Sequence, residues 1–143
     1  MADIQVCHQL KRLSMMIDWQ RYPNFSESEF RCRCGCEAFV CDVELLEVLQ
    51  SVRTAFGKPM KITSGYRCEK HPIEARKKKP GSHNSGAAVD IGCTGRDAYD
   101  LLRLLAADER VKGIGVNQKG RHSSRFLHAD VLSQSPRPNI WSY

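Results

Sequence analysis

The chain has 143 residues, 41% of them hydrophobic and 27% charged, with 22 Lys and Arg against 16 Asp and Glu. A chain of this length can bury a substantial core, and its ordinary apolar content with scattered Gly and Pro excludes a disordered polymer. No run approaches the roughly 18 consecutive apolar residues of a membrane helix, which excludes an integral helical membrane protein.

Read in chain order, residues 1–22 carry weak periodicity and a Met15-Met16-Ile17 patch, which predicts an amphipathic helix or a packed arm. The start, Met1-Ala2-Asp3-Ile4-Gln5, has no basic region ahead of an apolar stretch, so no Sec-type signal peptide is expected. Ser26 with Glu29 three residues on forms a capping box, and Phe25 and Phe30 sit where a hydrophobic staple would place them. A short helix is predicted there.

The clearest helix runs from about Val43 to Phe56. Asp42 can accept its free N–H groups, while Leu45, Leu49, Val52 and Phe56 share one face, and Gly57 and Pro59 stop it. Lys61-Ile62-Thr63 alternates like a short strand, and a long loop follows from about Gly65 to Ser85. Ala87 to Ile91 reads as a buried strand. A second helix starts after Thr94, with Asp97 at the capping-box position and Ala98, Leu101, Leu102 and Leu105 inward. Gly113–Val116 and Phe126–Val131 predict two strands joined by a polar hairpin. The expectation is a single α+β domain over residues 1–143, with an antiparallel sheet packed against helices.

The formal net charge of +6 points to an anionic partner such as nucleic acid, anionic lipid or an acidic wall polymer. Arg76-Lys77-Lys78-Lys79 reads as a solvated loop. Seven cysteines, without a signal peptide, argue against a disulfide scaffold. Cys32, Cys34, Cys36 and Cys41 suggest a structural zinc. One-residue gaps suit a tetrahedral ion poorly, however, so buried or free thiols are the expectation.

His83 and Asp90 lie seven residues apart with Gly86 and small alanines between them, which lets the backbone turn both side chains toward one centre. A distant third ligand, His128, would complete a three-ligand zinc site with its fourth position open to water. By spacing alone, surface and capping roles for these residues stay open.

Four blocks occur together: Ser64-Gly65-Tyr66-Arg67, then His83-Asn84-Ser85-Gly86-Ala87-Ala88-Val89-Asp90, then Gly113-Ile114-Gly115, then Phe126-Leu127-His128-Ala129-Asp130. With the leading Phe25 to Cys32 segment, they resemble the zinc D-alanyl-D-alanine carboxypeptidase family. This family includes phage L-alanyl-D-glutamate endopeptidases and shares its fold with the hedgehog signalling domain. The resemblance runs from about Phe25 to Val131.

It implies a hedgehog-like α+β fold, Zn2+ as cofactor, and His83, Asp90 and His128 as metal ligands. It also implies a peptidoglycan peptide as substrate, held by Arg67, whose planar fork suits a carboxylate, with Tyr66 and Ser85 as further substrate contacts. Several relatives carry an acid three residues before the last histidine, where this chain has Arg125. Asp130, sharing a strand face with His128, is then either the proton-transferring base or the residue that orients the ligand imidazole. His122, in the hairpin, is a candidate for stabilising the oxyanion if it folds over the site.

The implied role is a phage-type lysin, endolysin or virion-borne, made in the cytoplasm and reaching the wall after release or within a particle. A monomer without membrane insertion is expected. A non-catalytic zinc-binding module of the same fold is the alternative, kept open by Arg125. A nucleic-acid binder built on Arg76–Lys79 would need aromatic stacking residues that the run lacks, so no nucleic-acid partner is expected.

Overall fold

The protein is described here by a computed structural model covering residues 17–143. Most of the expected N-terminal helix or arm, residues 1–16 with Met15, Met16 and Cys7, lies outside the described residues. Trp19–Arg21 forms a 3₁₀ turn capped by Asp18, and the Trp19 ring rests against Tyr22, Phe30 and Phe39. The Ser26–Glu29 capping box is present, with the Ser26 amide donating to Glu29 Oε2 at 2.8 Å, but it closes a 3₁₀ turn, Glu27–Glu29. Phe25 and Phe30 meet across it at 6.0 Å.

Helix α1, Val43–Phe56, has the predicted bounds. Asp42 accepts from the Glu44 amide at 2.9 Å, and Gly57, in the left-handed region at φ 73°, closes the other end. Leu45, Leu46, Val48, Leu49 and Val52 are buried, whereas Phe56 is only partly so. A one-turn helix, α2 (Pro72–Ala75), and a 3₁₀ turn, Ser82–Ser85, interrupt the loop expected from Gly65 to Ser85. Helix α3, Gly95–Ala107, turns Ala98, Leu101 and Leu105 inward. Its Asp97 pairs with Lys58 at 2.8 Å instead of completing a capping box. No helix among the described residues is long and apolar enough to cross a membrane.

The strands are β1 Lys61–Ser64, β2 Ala88–Gly92, β3 Gly113–Asn117, β4 Phe126–Asp130 and β5 Asn139–Ser142. Their order in the sheet is β1-β2-β4-β3-β5. All pairs are antiparallel except β3 with β5, so the expectation of an antiparallel sheet needs one correction. The chain returns after β4 to lay an unforeseen parallel edge strand beside β3.

Because side chains alternate along a strand, the sheet has two unlike faces. Val89, Ile91, Ile114, Leu127 and Ala129 join α1 and α3 in the apolar core. The other face carries a cross-strand row of Ser64, Asp90, His128, Gly115 and Trp141, one residue from each of the five strands. Directly opposed residues of an antiparallel pair hold their Cβ atoms about 5 Å apart. The pairing register therefore brings Asp90 and His128 together although 38 positions separate them.

Candidate metal centre

His83 comes from the 3₁₀ turn that precedes β2. Gly86 ends that turn at φ 77°, and a Cβ there would collide with the Val40 carbonyl, so the backbone path requires glycine. Two bonds tie the turn to the Gly65–Arg67 segment: the Arg67 amide donates to the His83 carbonyl at 3.1 Å, and Asn84 Nδ2 donates to the Arg67 carbonyl at 2.9 Å. His83 is thereby set over the Asp90–His128 pair.

His83 Nε2, Asp90 Oδ1 and His128 Nδ1 form a triangle whose three sides are each 3.2 Å. A tetrahedral zinc with bonds of about 2.0–2.1 Å to nitrogen and oxygen separates its ligand atoms by roughly 3.3 Å, so the three donors fit such an ion. The outer nitrogen of each imidazole has its own acceptor. His83 Nδ1 donates to the Gly65 carbonyl at 2.8 Å, and His128 Nε2 donates to Asp130 Oδ2 at 2.8 Å. These acceptors fix the tautomers and leave the inner lone pairs for a metal. All three residues are buried, at 3%, 6% and 2% exposure for His83, Asp90 and His128.

The geometry divides the other sequence-derived candidates. Arg67 belongs to the centre: Nη2 reaches Asp90 Oδ2 at 3.1 Å and Nε donates to Ser64 Oγ at 3.1 Å, which leaves Asp90 Oδ1 for the metal. Asp130 also belongs, but behind His128. It is fully buried on the side of the ring opposite Nδ1, and the Arg137 guanidinium grips both its oxygens at 3.0 and 2.9 Å. Of the two roles expected for Asp130, this placement matches the orienting one, because the carboxylate touches the ligand and not the ligand's open side. Gly113, paired with Asp130 across β3 and β4, has no room for a Cβ, which would strike the Asp130 carboxylate and the Arg137 side chain.

Three candidates have other surroundings. His122 lies exposed on the 3₁₀ turn His122–Ser124, and its side chain makes no hydrogen bond to the ligand set. Ser85 donates to the Ser82 carbonyl at 2.6 Å and accepts from the Ala87 amide, so its hydroxyl serves its own turn. Tyr66 is buried against Cys32 and Val40. Arg125, at the position where relatives carry an acid, donates to the Gly120 carbonyl and braces the hairpin.

The sequence reading missed Arg137 and Trp141. The Trp141 ring lies 5.0 Å from the His128 ring, and the Arg137 guanidinium stacks on Trp141 at 5.0 Å. Gly115 makes this contact possible, since a Cβ there would meet the Trp141 indole at 2.7 Å. The alternation of Asn139-Ile140-Trp141-Ser142 after Pro138 was the available signal for an edge strand.

Burial disfavours a charged His128 ring, but the hydrogen bonds to Asp130 and Asp90 outweigh it and raise its pKa. Burial likewise opposes the Asp90 and Asp130 carboxylates. Their histidine partners, with Arg137 at Asp130, nonetheless hold both below the ordinary carboxylate value. Because the folded value for His128 lies above the unfolded one of about 6.5, metal-free protein carries stability that is complete below that pH and is lost as pH rises through the raised value. Zinc needs the neutral ring, so its affinity falls as pH is lowered through the same window. The rise in melting temperature on adding zinc should therefore be larger above the window than below it. A pH-independent rise in a thermal-shift titration would refute this account.

A family model described as Peptidase M15 matches residues 23–130, about three quarters of the chain. Comparison with curated proteins finds no match. The matched span contains His83, Asp90 and His128 in the arrangement above, and M15 peptidases depend on zinc. The chain belongs to the M15 peptidases, a family of zinc metallopeptidases.

Proposed function

We propose that this M15 peptidase hydrolyses the stem or cross-link peptides of peptidoglycan, as a phage-type endolysin or virion-associated lysin. The observation that carries the reading is the 3.2 Å donor triangle with both outer imidazole nitrogens already satisfied. Zinc, when bound, supplies a Lewis acid for the scissile carbonyl and makes water more acidic.

The chain's own residues supply position and charge. Arg67 Nη1 makes no hydrogen bond among the described residues, so the guanidinium that steadies Asp90 still has donors for a substrate carboxylate or carbonyl oxygen. Asp130 acts through His128, holding the ring in the tautomer that presents Nδ1. The carboxylates of Asp90 and Asp130 are matched by the guanidiniums of Arg67 and Arg137, which leaves the charge of a divalent ion uncompensated. Such a centre favours anionic peptides, and the net charge of +6 works in the same direction over the whole surface. The exposed Arg76–Lys79 run lies in the connection that leads to His83, where it can influence which substrate approaches.

One observation favours a second reading, a zinc-binding module without catalysis. Both oxygens of Asp130 are committed, and Arg125 stands where an acid would be expected. Digestion of purified sacculi followed by mass spectrometry of the fragments separates the two. Native protein should release peptides whose new termini identify the bond cleaved, and His83→Ala should release none. Intact sacculi in the presence of zinc-loaded native protein would overturn the peptidase reading on this substrate.

A further inference from the structure

We propose that Cys32, Cys34, Cys36 and Cys68 bind a second zinc ion in a closed, four-thiolate structural site separate from the His83–Asp90–His128 centre. Their four sulfur atoms all lie within 4.8 Å of one another, with Cys34 to Cys68 at 3.4 Å and Cys36 to Cys68 at 3.6 Å. Zinc–sulfur bonds of about 2.3 Å in a tetrahedron separate the sulfurs by roughly 3.8 Å, so the cluster has the right size. All six cysteines among the described residues are free thiols, so no disulfide competes for these sulfurs.

The objection from sequence was the one-residue spacing, and the fold answers it in two ways. The chain reverses sharply at Gly35, φ 104°, and at Glu37, φ 54°, and the Cys32 amide closes the turn on the Ala38 carbonyl at 2.8 Å. The fourth sulfur comes from Cys68, 36 residues beyond Cys32, and not from Cys41. Cys41 is buried in the main core.

Backbone amides donate to two of the four sulfurs, Cys68 N to Cys32 Sγ and Ala38 N to Cys36 Sγ, both at 3.4 Å. Hydrogen bonds of this kind stabilise metal-bound thiolates. Four thiolates leave no open position, which assigns the ion a structural role.

Its place in the fold gives that role content. Cys68 follows Arg67, the partner of Asp90, and Cys32 lies two residues after Phe30. The Phe30 carbonyl accepts from the Tyr66 amide at 2.9 Å, and its backbone packs so tightly on Gly65 that no Cβ fits there. Gly65 in turn holds His83. An ion at the cysteines therefore clamps the 30–38 turn onto the segment that positions both His83 and Asp90.

The test is metal counting on the full chain, purified under reducing conditions from zinc-supplemented cells. Native protein should contain two zinc ions per chain, and both His83→Ala and the double variant Cys34→Ser/Cys36→Ser should contain one. Cobalt-loaded His83→Ala should show a thiolate-to-cobalt charge-transfer band, which the serine variant lacks. That variant should also melt at least roughly 5 °C lower, since structural metal binding contributes directly to folding.

Folded His83→Ala protein with no zinc and no thiolate–cobalt band would overturn the proposal. So would four unliganded thiols, or cystine at these positions, in freshly isolated protein. If the serine variant fails to fold, the cobalt spectrum of His83→Ala still decides. The metal count stands apart from sacculus digestion, so failure of the peptidoglycan reading would leave it intact.

Discussion

Replacing His83 with Ala should remove zinc from the histidine–aspartate centre and abolish peptide hydrolysis at any practical zinc concentration. The change deletes one of three donors, so the loss should exceed the 10–100-fold drop in affinity typical when only a partner behind a ligand is removed. The structural cost is smaller. The Gly65 carbonyl loses its imidazole donor, worth about 1–3 kcal/mol if it stays buried and unpaired, so the protein should remain folded.

Asp90→Asn should also abolish activity, because it weakens the ligand and leaves Arg67 without its ion-pair partner. Zinc affinity measured against a competing chelator, alongside hydrolysis rate and circular dichroism, checks both variants. Either variant hydrolysing peptide at the native rate would remove these residues from the centre.

Asp130→Asn separates two jobs that a carboxylate near a zinc ligand can do. In the position observed, the carboxylate orients His128 and is held by Arg137, so zinc affinity should fall by about 10–100-fold. Saturating zinc should then restore most of the turnover. Had Asp130 been the proton-transferring base, turnover would drop by about 10²–10⁴-fold and excess zinc would not recover it. Removing one partner of a buried ion pair also typically costs about 3–5 kcal/mol, so the variant should melt measurably lower. Lost turnover with unchanged zinc affinity would reinstate the base role.

These three variants probe residues that differ in how legible they were. His83, Asp90 and His128 could be named from the sequence because the blocks that hold them resemble those of a zinc peptidase family, whereas their spacing alone left surface and capping roles open. Strand alternation put Asp130 on the face of His128. It could not say which ring nitrogen would meet which carboxylate, since that depends on χ angles and on Arg137 arriving from beyond the last predicted strand. Tyr66 and Ser85 show a related effect. Motif membership locates a residue on a segment, but whether its side chain turns toward the cleft or into a small core depends on what packs behind it.

The cysteines make the same point. Proximity in sequence grouped Cys41 with Cys32, Cys34 and Cys36, whereas proximity in space exchanges it for Cys68.

Local chemistry in the chain was sufficient to determine helix α1 with both caps, helix α3 and the first four strands, whereas the metal-ligand trio was named through the family resemblance. Each of those elements rests on interactions within a few residues or on a periodicity of 2 or 3.6. Only the folded structure decided the parallel strand β5, the Arg137–Asp130–His128 chain, the stacking of Trp141 over Gly115 and the makeup of the four-cysteine cluster. The strand, the stacked ring and the fourth cysteine join residues far apart along the chain, whose meeting is set by strand register and by which neighbours leave room, and the Arg137–Asp130–His128 chain depends on how the segment after β4 folds back.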